Sequence, residues 1–274
     1  MCGGELTRRD VLAGVVGLAA ATALGVGRPS TADAAPTVSA VSAIEVIPGL
    51  SIFPRAAWGA DLLPVGPIRA EEPRFLLVHH TQSPNTYPTG GARSVLRSVY
   101  EFHTGPEKRW PDVCYQFFID HDGGVWEGRA GALAGPVMAD ATAGSQGWAQ
   151  LVCLIGDFTS VQPSPAARDA LVRLLAWLAQ RYSIDTSPTA TVAFVSRGSN
   201  KFPAGTNVTT PTIAGHRDMT YTECPGNAFY PDVHDRLQAD VHAYRLAHPL
   251  PPVPPDATGL TAARRESRRT IRSG

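Results

Sequence analysis

Cysteine is scarce in this chain: four in 274 residues, and Cys2 lies in a segment that reads as an export signal. The other three, Cys114, Cys153 and Cys224, are an odd number and do not describe a disulfide framework. At least one thiol is therefore expected to do other work. None of them sits in a CxxC pair, which weakens any case for a structural zinc site. An excess of charge is also missing, since Lys+Arg and Asp+Glu both total 24. That balance argues against a protein that wraps a polyanion, so nucleic acid is not expected as a partner. Long apolar runs are lacking too. The N-terminal stretch that ends near Val26 is too short and too rich in glycine for a comfortable membrane span.

Both ends differ from the middle. Thr7-Arg8-Arg9-Asp10-Val11-Leu12 places an arginine pair before the apolar run, and Ala32-Asp33-Ala34 supplies the small residues that a signal peptidase reads. Residues 1–34 are expected to be an export signal of twin-arginine type, the alternative being an ordinary secretory signal that happens to hold two arginines. Residues 35–50 mix small, polar and apolar side chains without a period and read as a linker. Residues 51–247 form the expected body. Residues 248–274 are rich in proline, then in arginine, with five arginines against Asp256 and Glu266. Such a tail has too few apolar groups to pack and reads as flexible and solvated, with a tether to an anionic wall polymer or lipid as the sharper alternative. The mature chain is thus expected outside the cytoplasm with no stable membrane span.

Within the body, Phe75-Leu-Leu-Val-His79 and Leu151-Val-Cys-Leu-Ile155 are continuous apolar runs suited to buried strands. Tyr115-Gln-Phe-Phe-Ile119 and Val125-Trp-Glu127 flank a turn rich in glycine, which is a hairpin signal. Gly90-Gly91 precedes a helical period through Val95, Leu96, Val99, Phe102 and His103. Ser164-Pro165 opens the clearest helix, with Leu171, Leu174, Leu175 and Leu178 on one face. A last helix is expected from about Asp232 to Arg245. Alternating strands and helices predict an α/β fold: one domain with a central mixed β-sheet covered by helices; the zinc site considered next is expected in a surface groove of it.

Three places carry side chains that a packed core would not request. They are Val78-His79-His80-Thr81, Gly215-His216-Arg217-Asp218 and Thr222-Glu223-Cys224-Pro225-Gly226. His216 and Cys224 are eight residues apart in a stretch closed by Pro-Gly, better read as a loop than as two helical turns. Two imidazoles and a thiolate suit Zn²⁺, and three protein ligands leave a fourth position open, as in catalytic zinc. Taken singly, a histidine at a strand end is more often structural than a ligand, and a cysteine before Pro-Gly is more often simply buried.

Together and in order, these motifs resemble the peptidoglycan recognition proteins and the related phage-lysozyme-type N-acetylmuramoyl-L-alanine amidases. The resemblance runs from Arg55-Ala-Ala-Trp58-Gly59 through Leu77-Val-His79-His80-Thr81, Asp112-Val-Cys-Tyr115, Gly124-Val-Trp-Glu-Gly-Arg129 and Leu154-Ile-Gly156 to the closing Gly215-His-Arg-Asp218 and Cys224-Pro-Gly226. It implies His79, His216 and Cys224 as zinc ligands, His79 being taken over His80 because the family uses the first of that pair. It implies that Tyr115 hydrogen-bonds the attacking water or the developing oxyanion. Thr222 falls where some relatives keep a lysine, and with no charge it is expected to add less to oxyanion stabilisation. The chain departs from the family at Leu133-Ala-Gly-Pro-Val137, where relatives carry a histidine. It also lacks the relatives' small disulfide loop after the first helix.

The resemblance implies a zinc amidase that cuts the bond between the lactyl group and L-alanine in peptidoglycan or muropeptides. A peptidoglycan-binding module of the same fold without turnover, and a zinc hydrolase acting on another acylated peptide or sugar, are the alternatives; Cys224 speaks against the module. Residues 187–210, which shorter members of the family lack, read as a β-hairpin with turn formers at its tip. Two readings stand for it: a flap over the zinc with Arg197, Lys201 and Phe202 meeting substrate, or a surface excursion with solvated charges.

Overall fold

The computed structural model describes residues 41–87 and 91–250. The expected export signal of residues 1–34, and all but the first three residues of the expected tail, lie outside them.

The chain order is β1 (Ile44–Ile47), β2 (Leu50–Phe53), α1 (Ala56–Gly59), β3 (Phe75–His80), α2 (Ala92–Thr104), β4 (Phe117–Ile119) and β5 (Val125–Glu127). It continues with β6 (Ala149–Leu154), α3 (Pro165–Tyr182), β7 (Thr191–Val195), β8 (Asn207–Pro211), β9 (Ile213–Gly215), α4 (His216–Met219), α5 (Tyr230–Asp232) and α6 (Gln238–Ala247). A π-helical turn, Val233–Leu237, joins the last two. Among the described residues seven strands form one mixed sheet in the order β1-β2-β5-β4-β6-β3-β9, and β7-β8 form a separate hairpin. β3 lies parallel to both β6 and β9, whereas β4 and β5 are antiparallel. The mixed α/β expectation holds.

β3 lies between β6 and β9 and is buried along its whole length, which is why it reads as an unbroken apolar run rather than an alternation. Its alternate residues nevertheless enter different layers. Leu76 and Val78 pack with Phe117, Val152 and Leu154 against Leu171, Leu174, Leu175 and Leu178 of α3. Phe75 and Leu77 pack on the other face with Leu151, Phe194 and Ala214. α3 starts where the sequence places it: Ser164 Oγ accepts from the Ala167 N–H at 3.0 Å, and Pro165 occupies the first turn. The period-two rule then sends the last two residues of β3 to opposite faces.

The sheet begins inside the stretch expected to be a linker, residues 35–50. Ile44 pairs with Ile52 and Ile47 with Leu50 across Pro48-Gly49. Gly49 takes φ +78°, the left-handed conformation that glycine adopts without steric cost. Four residues are too few for a period to show, although the partner strand β2 follows after only two residues. At the other end Leu250 still packs on the core, past the expected boundary at 247.

A buried polar cluster sits beside the start of β3. Glu71 Oε1 accepts from Gln150 Nε2 at 2.7 Å and from Gln116 Nε2 at 3.5 Å, while Gln116 Oε1 accepts from the Leu151 N–H at 2.8 Å. Burial pushes the Glu71 carboxyl well above its ordinary value of 4.5, with the Gln150 hydrogen bond and Arg129 pulling part of the way back. The folded chain therefore keeps a proton that the unfolded chain loses as pH rises past about 4.5, and stability falls over that range. Glu71→Gln keeps an acceptor and removes the titration. It is expected to be more stable than the unaltered protein at about pH 8 but not at about pH 4 in urea denaturation. Parallel pH slopes would place the dependence on another group.

Candidate metal centre

Three chain segments deliver the three expected ligands to one point at the carboxyl edge of the parallel strands. His79 comes from β3, and His216 follows β9 directly as the first residue of α4. The turn into α4 is fixed by Asp218, whose Oδ2 accepts from the Gly215 N–H at 2.8 Å and whose Oδ1 accepts from the Tyr230 hydroxyl at 2.5 Å. The stretch expected to be a loop is thus one helical turn followed by irregular chain. Arg217 closes it: its N–H donates to the Cys224 carbonyl at 3.1 Å. The Arg217 guanidinium donates to the Glu223 carbonyl and to Asn227 Oδ1, and lies 4.5 Å over the Tyr230 ring. Gly226 has φ +106°, and a Cβ there would lie 2.3 Å from the Phe158 carbonyl carbon. Only glycine lets the chain pass so close.

The His79 and His216 rings are 4.3 Å apart between centroids, and Cys224 Sγ lies 3.7 Å from His79 Nδ1. One potential ligand atom from each of His79, His216 and Cys224 falls within 4.8 Å of the other two. Burial, with His216 and His80 nearby, pushes the His79 imidazole well below its usual range. Burial and then His80 take His216 to about 4, against an opposing hydrogen bond with the Ala141 backbone. Both rings are therefore neutral at neutral pH and keep a lone pair. The Nε2 atoms of His79 and His216 are buried without a hydrogen-bond partner, a costly arrangement for a polar atom unless something else fills the place. The His80 N–H donates to Cys224 Sγ at 3.4 Å, favouring charge on the sulfur. Two neutral imidazoles and a thiol of this kind fit zinc. His80, by contrast, turns to the α3 face and its Nδ1 accepts from the Phe158 N–H at 3.3 Å.

Tyr115 stands next to this group, its ring centroid 5.1 Å from that of His79. Burial, then the Cys114, Cys153 and Cys224 thiols, push its hydroxyl well above the usual phenol range, so it stays protonated and able to donate. His103, visible in the sequence only as one member of a helical period, backs it. The His103 ring lies 5.8 Å from Tyr115, and its Nδ1 accepts from the Cys114 N–H at 3.2 Å. The hint was a polar side chain on the buried face of α2. Thr222 is placed in the ligand loop, where its Oγ1 accepts from the Cys224 N–H at 3.2 Å.

Residues 191–211 do form a hairpin, paired from Thr191 with Pro211 to Val195 with Asn207. The flap reading is overturned at its tip. Lys201 Nζ donates to the Arg217 carbonyl at 2.9 Å, Arg197 stacks 5.0 Å over the Trp148 ring, and Phe202 packs into the core layer with Met219. These side chains are engaged within the protein, so the hairpin is docked on the ligand loop.

Comparison with known proteins gives the family and the fold. The model of the N-acetylmuramoyl-L-alanine amidase family matches residues 69–227. The chain belongs to that family. The N-acetylmuramoyl-L-alanine amidase of Sus scrofa is 31% identical over 183 residues, 66% of this chain but only 26% of the pig protein. This chain thus spans about a quarter of that relative's length. Peptidoglycan-recognition protein LB of Drosophila melanogaster is 27% identical, over 66% of this chain and 67% of its own. Among solved structures, peptidoglycan recognition protein-LE in complex with tracheal cytotoxin aligns with a TM-score of 0.51 at 20% identity, covering 66% of this chain and 91% of that one. That likeness establishes the shared fold.

Cys114 and Cys153 are buried free thiols. Alkylation under denaturing, non-reducing conditions is expected to label both, and peptide mapping checks it. A peptide mass that joins the two would show that they pair.

Proposed function

We propose that this member of the family is a zinc-dependent N-acetylmuramoyl-L-alanine amidase acting on the lactyl–L-alanine bond of peptidoglycan or muropeptides. The convergence of His79, His216 and Cys224, with two unpartnered Nε2 atoms, carries the reading. The solved complex of recognition protein-LE with monomeric diaminopimelic acid-type peptidoglycan supports the ligand class. Among the described residues no helix is long and apolar enough to cross a membrane. We place the enzyme outside the cytoplasm, with residues 1–34 as its export signal.

His79, His216 and Cys224 hold the metal in this reading. Zinc supplies a Lewis acid for the scissile carbonyl and, by lowering the pKa of a water to about 7, a hydroxide source at neutral pH. The chain's own residues do the rest. Tyr115 donates its O–H to the carbonyl oxygen as negative charge develops there, in surroundings dry enough to strengthen that bond. The His80 N–H keeps charge on the Cys224 sulfur, and His103 holds Tyr115 at its angle. Thr222, whose hydroxyl oxygen already accepts from Cys224, serves the ligand loop first and the oxyanion less.

Metal analysis of the purified protein is expected to find one zinc per chain, and Cys224→Ser to lose turnover while keeping its fold. A folded, active protein without zinc would refute the metal assignment. Mass spectrometry of digested muropeptides should show newly freed L-alanine amines and no new reducing ends. Binding without any new amine would identify the non-catalytic module instead. Tyr115→Phe is expected to lower turnover by about a hundredfold with zinc retained; near-normal turnover would return Tyr115 to a packing role.

A further inference from the structure

A helix of four residues cannot satisfy its own last carbonyls. In α4 two of them are met from outside, by the tip of the β7–β8 hairpin. Lys201 Nζ donates to the Arg217 carbonyl and Ser199 Oγ to the Met219 carbonyl, both at 2.9 Å. Asn200 then grips the next turn of chain from two sides. Its Nδ2 donates to the Tyr221 carbonyl at 3.2 Å, and its Oδ1 accepts from the Tyr221 N–H at 2.7 Å and from the Thr220 hydroxyl.

The tip that does this is itself well braced. Ser199 N–H donates to the Phe202 carbonyl at 2.8 Å, and Ser199 Oγ accepts from the Phe202 N–H at 3.0 Å. The Arg197 N–H donates at 2.8 Å to the carbonyl of Gly144, in the 3₁₀ turn Ala143–Ser145. The Tyr221 side chain, meanwhile, is 71% exposed. What fixes this stretch is therefore contact between its backbone and the hairpin, and not packing of the Tyr221 ring.

We propose that Asn200 and Lys201 are positioning residues for the metal centre. They hold the chain between His216 and Cys224 so that those two ligands are in register before any metal arrives. The proposal rests on the zinc reading above and adds to it a supporting role for the β7–β8 hairpin. Its physical basis is preorganisation: a loose loop must be ordered at the metal's expense, whereas a docked one is not. Lys201 adds a charge-assisted bond at the carboxyl end of α4, where a cation is electrostatically welcome.

The test compares the full chain with an Asn200→Ala/Lys201→Ala double variant, and with Asn200→Asp, which keeps the acceptor and loses the donor. Two measurements are made: amide hydrogen exchange of residues 217–224 in the zinc-free protein, and the rate of zinc release to a chelator. In the double variant, exchange over 217–224 is expected to rise while β3 and β6 keep their protection. Zinc release is expected to quicken by about tenfold or more, with Asn200→Asp in between. The spectrum of the cobalt-substituted double variant should broaden or shift, a change that loss of general stability alone would not cause. Unchanged exchange and release in a variant that keeps β3 protection would overturn the proposal. If the double variant does not fold, Asn200→Asp and a single Lys201→Met variant decide on the same two criteria. Failure of the unaltered chain to bind zinc would refute the metal reading instead, and the exchange comparison would still judge the hairpin.

Discussion

Alternation along β3 determines where the rest of the site sits. The strand is covered on both faces, so it has room for polar side chains only at its carboxyl end, and there the two faces receive one histidine each. Register with the neighbours completes the placement: His79 stands opposite Cys153, and Val78 stands opposite Gly215. His216 follows Gly215 and so arrives beside His79. A slip of one residue would present His80 in its place and bury His79 against α3. The apolar layers therefore do more than stabilise the fold. By making such a slip expensive they decide which imidazole faces His216.

The loops at this edge face a different problem, because they must hold polar backbone that no regular ladder satisfies. They do so with side chains that bind backbone in pairs. Asn85 Nδ2 donates to the Asp157 carbonyl at 2.8 Å and its Oδ1 accepts from the Asp157 N–H at 2.7 Å, tying the exit of β3 to the exit of β6. Thr81 Oγ1 accepts from the Gly156 N–H at 2.9 Å and reinforces the same junction. Asn200 repeats the two-sided amide grip on Tyr221. Each clamp replaces hydrogen bonds that a strand or a helix would have supplied. Cys224 and the loops around it are thus irregular chain that side-chain hydrogen bonds hold in place, while His79 and His216 stand on β3 and α4.

Much of this was legible in the sequence, for identifiable reasons. The runs at Phe75 and Leu151 signal buried parallel strands because neither face meets water, and Ser164-Pro165 marks a helix start by chemistry that acts locally. The meeting of His79, His216 and Cys224 was expected from ordered motifs, since spacing alone cannot say that residues 79 and 224 meet. What stayed hidden was either too short to show a pattern or depends on partners remote in sequence. β1 is too short to show a period. His103 looks like any polar member of a helix until Tyr115 is packed on it. Arg197 and Lys201 carry charges that suggest substrate carboxylates, but the structure uses them on Trp148 and on a helix carbonyl. Charge in a turn between strands shows that the turn is polar and leaves open what the charge meets.

Burial acts in opposite directions on the groups around the centre. It lowers the imidazoles of His79 and His216 and raises the phenol of Tyr115, since burial penalises whichever form is charged. For the proposed ligands and proton donor these are useful outcomes: the imidazoles keep their lone pairs, and the phenol keeps its hydrogen. The sulfur of Cys224 is different, because as the proposed metal ligand it would have to carry charge, which burial by itself resists. The backbone meets that demand where it arises, with the His80 N–H aimed at the sulfur. The second histidine of the pair therefore matters through its main chain as well as its ring. Adjacent positions on one strand thus serve two of the proposed ligands at once, His79 through its imidazole and Cys224 through the amide that follows.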